Sequence, residues 1–183
     1  MESKNISLVP AGAGDYQKIK KLYLAAFPKS ERPPFYYLKK AEKHGRADFF
    51  SIYDGDEWQG FCHILTDEKC AYLFYLALSP DCRGRGIGSE VIRQLKERYK
   101  NRKFFLALET LDKNAKNYDM RVRRHGFYKR NGLTELPGHI REGSEVYDIM
   151  GSGEKISRGE YYSLMIHSIG KLYTDLMRMT ILD

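Results

Sequence analysis

One stretch constrains the fold more than any other: Ser79-Pro80-Asp81-Cys82-Arg83-Gly84-Arg85-Gly86-Ile87-Gly88-Ser89. The apolar run Ala71–Leu78 before it reads as a buried strand. After it, Ile87, Val91, Ile92, Leu95 and Tyr99 recur at helical spacing. The order is therefore strand, glycine-rich turn, helix. Gly84, Gly86 and Gly88 let the backbone approach a ligand without Cβ obstruction. The first-turn amides of the helix lack intrahelical acceptors, and the helix dipole favours an anion beside them. Arg83 and Arg85 add positive charge. The physical reading is a pyrophosphate cradle; the plainer one is a tight strand-to-helix connection. A P-loop needs Lys-Ser/Thr after its last glycine, where this chain has Ser89-Glu90. The dinucleotide fingerprint has a different glycine spacing from this turn.

The turn sits within a regular succession of elements. Ile6–Val9 is a short strand, and Asp15 is placed to cap a helix with the apolar stripe Ile19, Leu22, Tyr23, Ala26 and Phe27. A polar loop containing Glu31 and Arg32 opens a second helix from Phe35 to His44, closed by Gly45. Strands follow at 48–53, 58–66 and 70–78, the first two joined by the hairpin signal Asp54-Gly55-Asp56. Phe104–Leu108 is continuously apolar, as expected of a strand covered on both faces and parallel to the Cys70 strand, with Glu109 at its C-terminal end. A polar loop at 111–119, a helix at 120–129 and strands at 133–140 and 145–150 come next. Ser157 and Glu160 form a capping box, and the spacing of Tyr161, Leu164, Met165, Ile169, Leu172, Tyr173 and Leu176 predicts one helix over 157–178. The chain reads as a single domain over 1–183, with its core at 6–150.

Composition narrows the function classes. No apolar run approaches membrane-spanning length, and the first residues show no secretory signal, so the expectation is a cytoplasmic protein without a membrane partner. Three cysteines, 62, 70 and 82, are an odd count without metal-ligand spacing and read as reduced thiols. The net charge of +7 suits a polyanionic partner, either a phosphorylated cofactor or nucleic acid.

The turn Arg83-Gly84-Arg85-Gly86-Ile87-Gly88, after Leu76-Ala77-Leu78-Ser79-Pro80, resembles the acyl-CoA loop of the GNAT family of N-acetyltransferases, bacterial-type. Further along, Phe127-Tyr128-Lys129-Arg130-Asn131-Gly132-Leu133 is similar to that family's Phe/Leu-Tyr-x-x-x-Gly-Phe element. The resemblance covers residues 6–150 and implies an α/β fold. That fold has a mixed, mostly antiparallel central sheet with one parallel pair (the Cys70 and Phe104 strands), helices on both faces and, here, an extra C-terminal helix.

It also implies acetyl-CoA as co-substrate, an amine acceptor and no metal. By resemblance, the backbone of Leu76, Ala77 and Leu78 pairs with the pantetheine arm, and Arg83, Gly84, Arg85, Gly86, Ile87, Gly88 and Ser89 hold the pyrophosphate. Tyr128 supplies the proton for the leaving thiolate, Glu109 or a water chain takes the proton of the amine, and Asn114 contacts the cofactor. A local acidic pocket of Glu31, Glu109 and Asp112 would suit a cationic acceptor. Three rivals remain open: a non-catalytic acyl-CoA-binding module, a nucleic-acid-binding protein using the basic helix 120–130, and a homodimer built on the last helix.

Overall fold

The computed structural model describes residues 5–29, 32–82 and 84–183. The chain divides into two compact units. One takes the chain up to Leu65 together with Leu73–Arg98, and the other takes Thr66–Tyr72 and Tyr99–Asp183.

In the first unit, β1 (Ile6–Pro10), β2 (Ala47–Asp54), β3 (Glu57–Thr66) and the later half of β4 (Cys70–Leu78) are neighbours in that order. The expected hairpin is present: β2 and β3 pair antiparallel, with Asp54 opposite Glu57 and Gly55 at φ 59° between them. Helices α1 (Tyr16–Ala26) and α2 (Phe35–Lys43) lay aromatic rings over these strands. Tyr23, fully buried, meets Phe27, Phe35, Phe61 and Tyr75 at centroid distances of 5.8, 5.7, 6.4 and 5.1 Å, and its hydroxyl donates to the Pro33 carbonyl at 2.7 Å. The predicted α1 stripe is narrower than its spacing suggests, since Ile19 and Tyr23 are buried while Ala26 is exposed. Asp15 does occupy the N-cap position, but its side chain makes no capping bond. It accepts instead from the Tyr53 hydroxyl at 2.8 Å, tying the start of α1 to β2.

Helix α3 (Ile87–Arg98) completes this unit with Ile87, Val91, Ile92 and Leu95 buried, the stripe read from sequence. Within β3, His63 is fully buried, and its Nε2–H donates to the Leu38 carbonyl at 3.3 Å while Nδ1 is buried without a partner. Burial pushes this imidazole down to about 4, against the Leu38 contact, which favours the charged form.

In the second unit, the first residues of β4 pair parallel with β5 (Lys103–Glu109), Cys70 opposite Lys103 and Tyr72 opposite Phe105. The sheet continues through β7 (Glu145–Gly151), β6 (Thr134–Glu142) and a short β8 (Thr180–Leu182), with antiparallel pairing. Helix α4 (Tyr118–Arg130) joins β5 to β6. Tyr72 stacks on Phe105 at 4.7 Å, and the hydroxyls of Tyr72 and Tyr161 both donate to Glu142 Oε1, at 3.0 and 2.7 Å. Burial raises the Glu142 carboxyl, against those two bonds.

The C-terminal segment departs from the single helix predicted over 157–178. It forms α5 (Arg158–Ile169), α6 (Lys171–Leu176) and β8, broken at Gly170, whose φ of 94° and ψ of 148° no helix contains. The capping box of Ser157 and Glu160 starts α5 as read. The apolar stripe runs out at the break: Tyr161, Leu164, Met165 and Ile169 are buried, while Leu172 and Leu176 are 85% and 74% exposed, because Gly170 resets the helix phase. Strand β8 fits against β6 where Pro137-Gly138 interrupts the ladder; a Cβ on Gly138 would come within 2.9 Å of the Leu182 carbonyl. No helix among the described residues is long and apolar enough to cross a membrane.

Candidate functional site

The glycine turn takes its form from local backbone bonds. Beyond β4, Ser79 N–H donates to the Gln59 carbonyl at 2.8 Å, and a 3-10 turn over Pro80–Cys82 closes with Cys82 N–H to Ser79 C=O at 3.0 Å. Arg83 lies outside the described residues. Gly84 and Gly86 follow at φ 76° and 73°, the left-handed region that favours glycine. At the start of α3, Glu90 N–H reaches the Gly86 carbonyl at 3.2 Å. The amides of Ile87, Gly88 and Ser89 thus precede the helical ladder, at the positive end of the dipole. Gly84, Arg85, Gly86 and Ser89 are exposed, while Ile87 and Gly88 are buried and anchor the turn. An open row of N–H donors is suited to an anion.

Two contacts adjust the sequence reading of this turn. Arg85 pairs with Asp54 at 3.1 Å, so its charge is partly offset. Cys82 is buried, donates to Gln59 Oε1 at 2.6 Å, and burial raises its thiol, which makes it an anchor and not a nucleophile. Gln59, 3% exposed, holds both ends of this loop, and no spacing signal marks it in the sequence. Leu76 and Leu78 are half-buried and Ala77 is buried. Gly60 sits under Ala77 so closely that a Cβ would lie 2.2 Å from its carbonyl oxygen.

In the other unit, the end of β5 is tied to α4. Glu109 Oε1 accepts from Asn117 Nδ2 at 2.9 Å and Arg121 Nη2 at 3.2 Å, and Oε2 accepts from Arg124 Nη1 at 3.1 Å. Its backbone carbonyl contacts His125 Nε2 at 3.0 Å. Asn117 therefore touches Glu109. Asn114 is exposed, and its own N–H donates to Asp112 Oδ1 at 2.9 Å. Asp112 is exposed in the same loop, and Glu31 lies outside the described residues.

Part of the basic helix is engaged, while Arg123 and Arg130 stay exposed. Arg121 and Arg124 hold Glu109, His125 is buried, and Lys129 pairs with Glu135 at 2.8 Å. On the same helix, Tyr128 is half-buried, stands edge-on to Phe127 at 5.0 Å, and carries no hydrogen bond on its hydroxyl among the described residues. Burial pushes its phenol up to about 12, against the pull of the Arg124 guanidinium. It is a proton-bearing, unspent donor.

A mixed α/β sheet whose fourth strand runs into an open glycine turn at a helix N-terminus defines a class of proteins suited to anionic ligands. The chain belongs to the GNAT acetyltransferase family, whose model, described as the acetyltransferase (GNAT) family, matches residues 16–132. By family it is an acetyl-CoA-dependent acyltransferase. Among solved structures it is similar to a GNAT-family acetyltransferase from Bacteroides thetaiotaomicron (TM-score 0.71, 23% identity, 93% of this chain and 98% of that one). It is also similar to Naa50 from Arabidopsis thaliana in complex with the bisubstrate analogue CoA-Ac-MVNAL (TM-score 0.62, 18% identity, 81% and 99%). A third is a spermidine N-acetyltransferase SpeG variant from Vibrio cholerae (TM-score 0.61, 16% identity, 80% and 94%). No curated protein matches the sequence.

Proposed function

We propose that the chain transfers the acetyl group of acetyl-CoA directly to a primary amine, on a small molecule or a protein, with residues 6–150 as the acyl-transfer core. The observation that carries this reading is the open glycine turn, with the unspent amides 87–89 behind Gly84 and Gly86 at positive φ. In this reading the turn holds the pyrophosphate through Gly84, Arg85, Gly86, Ile87, Gly88 and Ser89, Arg83 adds charge, and Asn114 contacts the cofactor. The backbone of Leu76, Ala77 and Leu78 aligns the pantetheine arm, and an N–H of that strand faces the oxyanion as it forms.

The amine nitrogen attacks the thioester carbon, the C–N bond forms and the C–S bond breaks. The departing thiolate takes the Tyr128 proton, and the nitrogen sheds its own to a base. Burial holds this phenol protonated at neutral pH, so it is available there as the donor. Glu109 is assigned the amine proton. Its oxygens already accept from Asn117, Arg121 and Arg124, so protonation requires one of these donors to give way. A primary amine of pKa about 10.4 is only about one part in a few thousand neutral at pH 7, a deficit of roughly 4–5 kcal/mol that such a base offsets.

The nucleic-acid reading loses support, because Arg121, Arg124 and Lys129 of α4 are engaged by Glu109 and Glu135. A cytoplasmic setting belongs to this proposal, with Cys62, Cys70 and Cys82 as free, buried thiols.

The test is thiol release from acetyl-CoA with a panel of polyamines, aminoglycosides, amino acids and peptide N-termini. Turnover with at least one amine, lost in Tyr128→Phe with desulfo-CoA binding retained, is the expected result. Binding of CoA with no turnover on any amine would leave a non-catalytic acyl-CoA module in its place. In Glu109→Gln, a fall in kcat/KM with an altered acid limb and an unchanged melting temperature marks a base. A lowered melting temperature with the pH profile intact marks a residue that only holds α4.

A further inference from the structure

We propose that the C-terminal segment forms a second anion site, separate from the acyl-transfer residues, that takes a small organic phosphate. A cavity of about 560 Å³ lies among β6, the start of α5 and the α6–β8 connection. Ligand pockets typically span about 300–1,000 Å³, so it is large enough for a phosphate ester. Three arginines line it, Arg141, Arg158 and Arg178, against a single carboxylate, Asp175. Asp175 is already engaged by Lys171 and by the Tyr162 hydroxyl, and Asp183 offsets Arg158, which leaves Arg141 and Arg178 without an ion pair among the described residues.

Two of the three arginines, Arg141 and Arg178, bring independent signs of an absent partner. Arg141 stands opposite Thr180 in the β6–β8 ladder, and its Nε is buried with no hydrogen bond. A buried guanidinium N–H without an acceptor is costly and rare, and a turn of the Arg141 side chain, which lines the cavity, would bring it to an anion held there. Arg178 makes no ion pair among the described residues and sits at φ 49°, in the left-handed region a non-glycine residue occupies only at a free-energy cost. Its strained turn is held by its own N–H to the Asp175 carbonyl and Met179 N–H to the Thr174 carbonyl, both 3.0 Å. Arg158 is the first residue of α5, fixed by Nε to the Ile181 carbonyl at 3.0 Å and paired through Nη2 with Asp183 at 3.2 Å, so it lines the cavity with its charge already offset.

The α5 N-terminus adds donors. Glu160 N–H is taken by the Ser157 hydroxyl and Tyr161 N–H by the Ser157 carbonyl, which leaves the amides of Arg158 and Gly159 ahead of the ladder. Gly159 has no heavy atom within 4 Å of where a Cβ would stand, so the approach is open. Planar guanidiniums pair bidentately with phosphoryl oxygens, and the Tyr162 ring and Met179 supply apolar wall for an organic moiety.

The experiment is calorimetric titration of the full chain with glucose 6-phosphate, inorganic pyrophosphate and glucose. Saturable one-to-one binding of glucose 6-phosphate, none of glucose, and about tenfold or greater weakening in Arg141→Met and in Arg178→Gly is the expected result. Arg178→Gly relieves the left-handed strain, so its melting temperature should hold or rise while binding falls; a merely structural arginine would not separate the two. Should Arg141→Met fail to fold, Arg178→Gly carries the test alone. Pyrophosphate binding without glucose 6-phosphate binding would limit the site to inorganic anions and overturn the organic assignment. Binding that survives both variants but is lost in Arg85→Ala would place the phosphate on the glycine turn. No saturable binding at all would overturn the site.

Discussion

Gly60 is the residue at which fold and proposed cofactor binding can be perturbed together. A Cβ built there lies 2.2 Å from the Ala77 carbonyl oxygen and 2.9 Å from Leu78 Cα. Both obstacles are backbone of β4, so no side chain can swing aside. The Ala77 carbonyl must retreat by about 1 Å to reach ordinary contact, and overpacking of this kind costs about 1–3 kcal/mol. The upper end applies because the strand on either side, from Tyr75 to the Ser79 N–H bound to the Gln59 carbonyl, resists the shift. About 3 kcal/mol lowers the melting temperature of a chain this size by roughly 6–12 °C. Ala77 is also assigned to the pantetheine arm. Losing one hydrogen bond there, about 0.5–1.5 kcal/mol, weakens cofactor binding roughly 2- to 10-fold. Gly60→Ala should therefore melt lower and bind desulfo-CoA more weakly by calorimetry. Gly12→Ala, with nothing within 4 Å of its Cβ, should do neither. If Gly60→Ala melts within a degree of the parent and binds desulfo-CoA equally, the claim that this contact fixes β4 is wrong.

Other expectations follow from single groups. His63 has a folded value of about 4 against an ordinary 6.5, so the stability it contributes is complete above about pH 6.5 and is lost as pH falls to about 4. That window is worth about 3 kcal/mol, and urea unfolding of His63→Gln across it should show a flatter pH dependence than the parent. Glu142 behaves in the opposite sense: its folded value is raised, so its contribution is full at low pH and fades as pH rises through that raised value. Glu142→Gln, which keeps an acceptor for Tyr72 and Tyr161, should remove that decline in thermal melts run from pH 4 to pH 9. Tyr128→Phe should cut kcat by about 10²–10⁴ with little change in melting temperature, and Tyr128 should add no alkaline limb to the parent's rate profile below about pH 10. Ser157→Ala removes the reciprocal cap of α5 and should cost about 1 kcal/mol in chemical denaturation.

Local signals explain what could be read without coordinates. The β4–turn–α3 order, the Asp54-Gly55 hairpin, the parallel β4–β5 pair and the Ser157–Glu160 cap each rest on residues adjacent in the chain or on a connection rule. Hydrogen-bonding and steric preferences act there within a few residues. The single C-terminal helix failed for the same reason in reverse. The apolar spacing continues past Gly170, and nothing in a periodicity reveals that this glycine adopts a positive φ and that Thr180–Leu182 leaves to pair with β6.

By itself, then, the sequence determined an α/β chain carrying a glycine-rich anion turn and a tyrosine-bearing helix, because those follow from short-range propensity and motif spacing. Tertiary structure alone decided which side chains are spent. It put Asn117 on Glu109, paired Arg121 and Arg124 with the same carboxylate, buried Cys82 against Gln59, and left the Tyr128 hydroxyl unbonded among the described residues and Arg141 Nε without an acceptor. Such pairings depend on distance in space and on burial, which a linear order of residues does not contain.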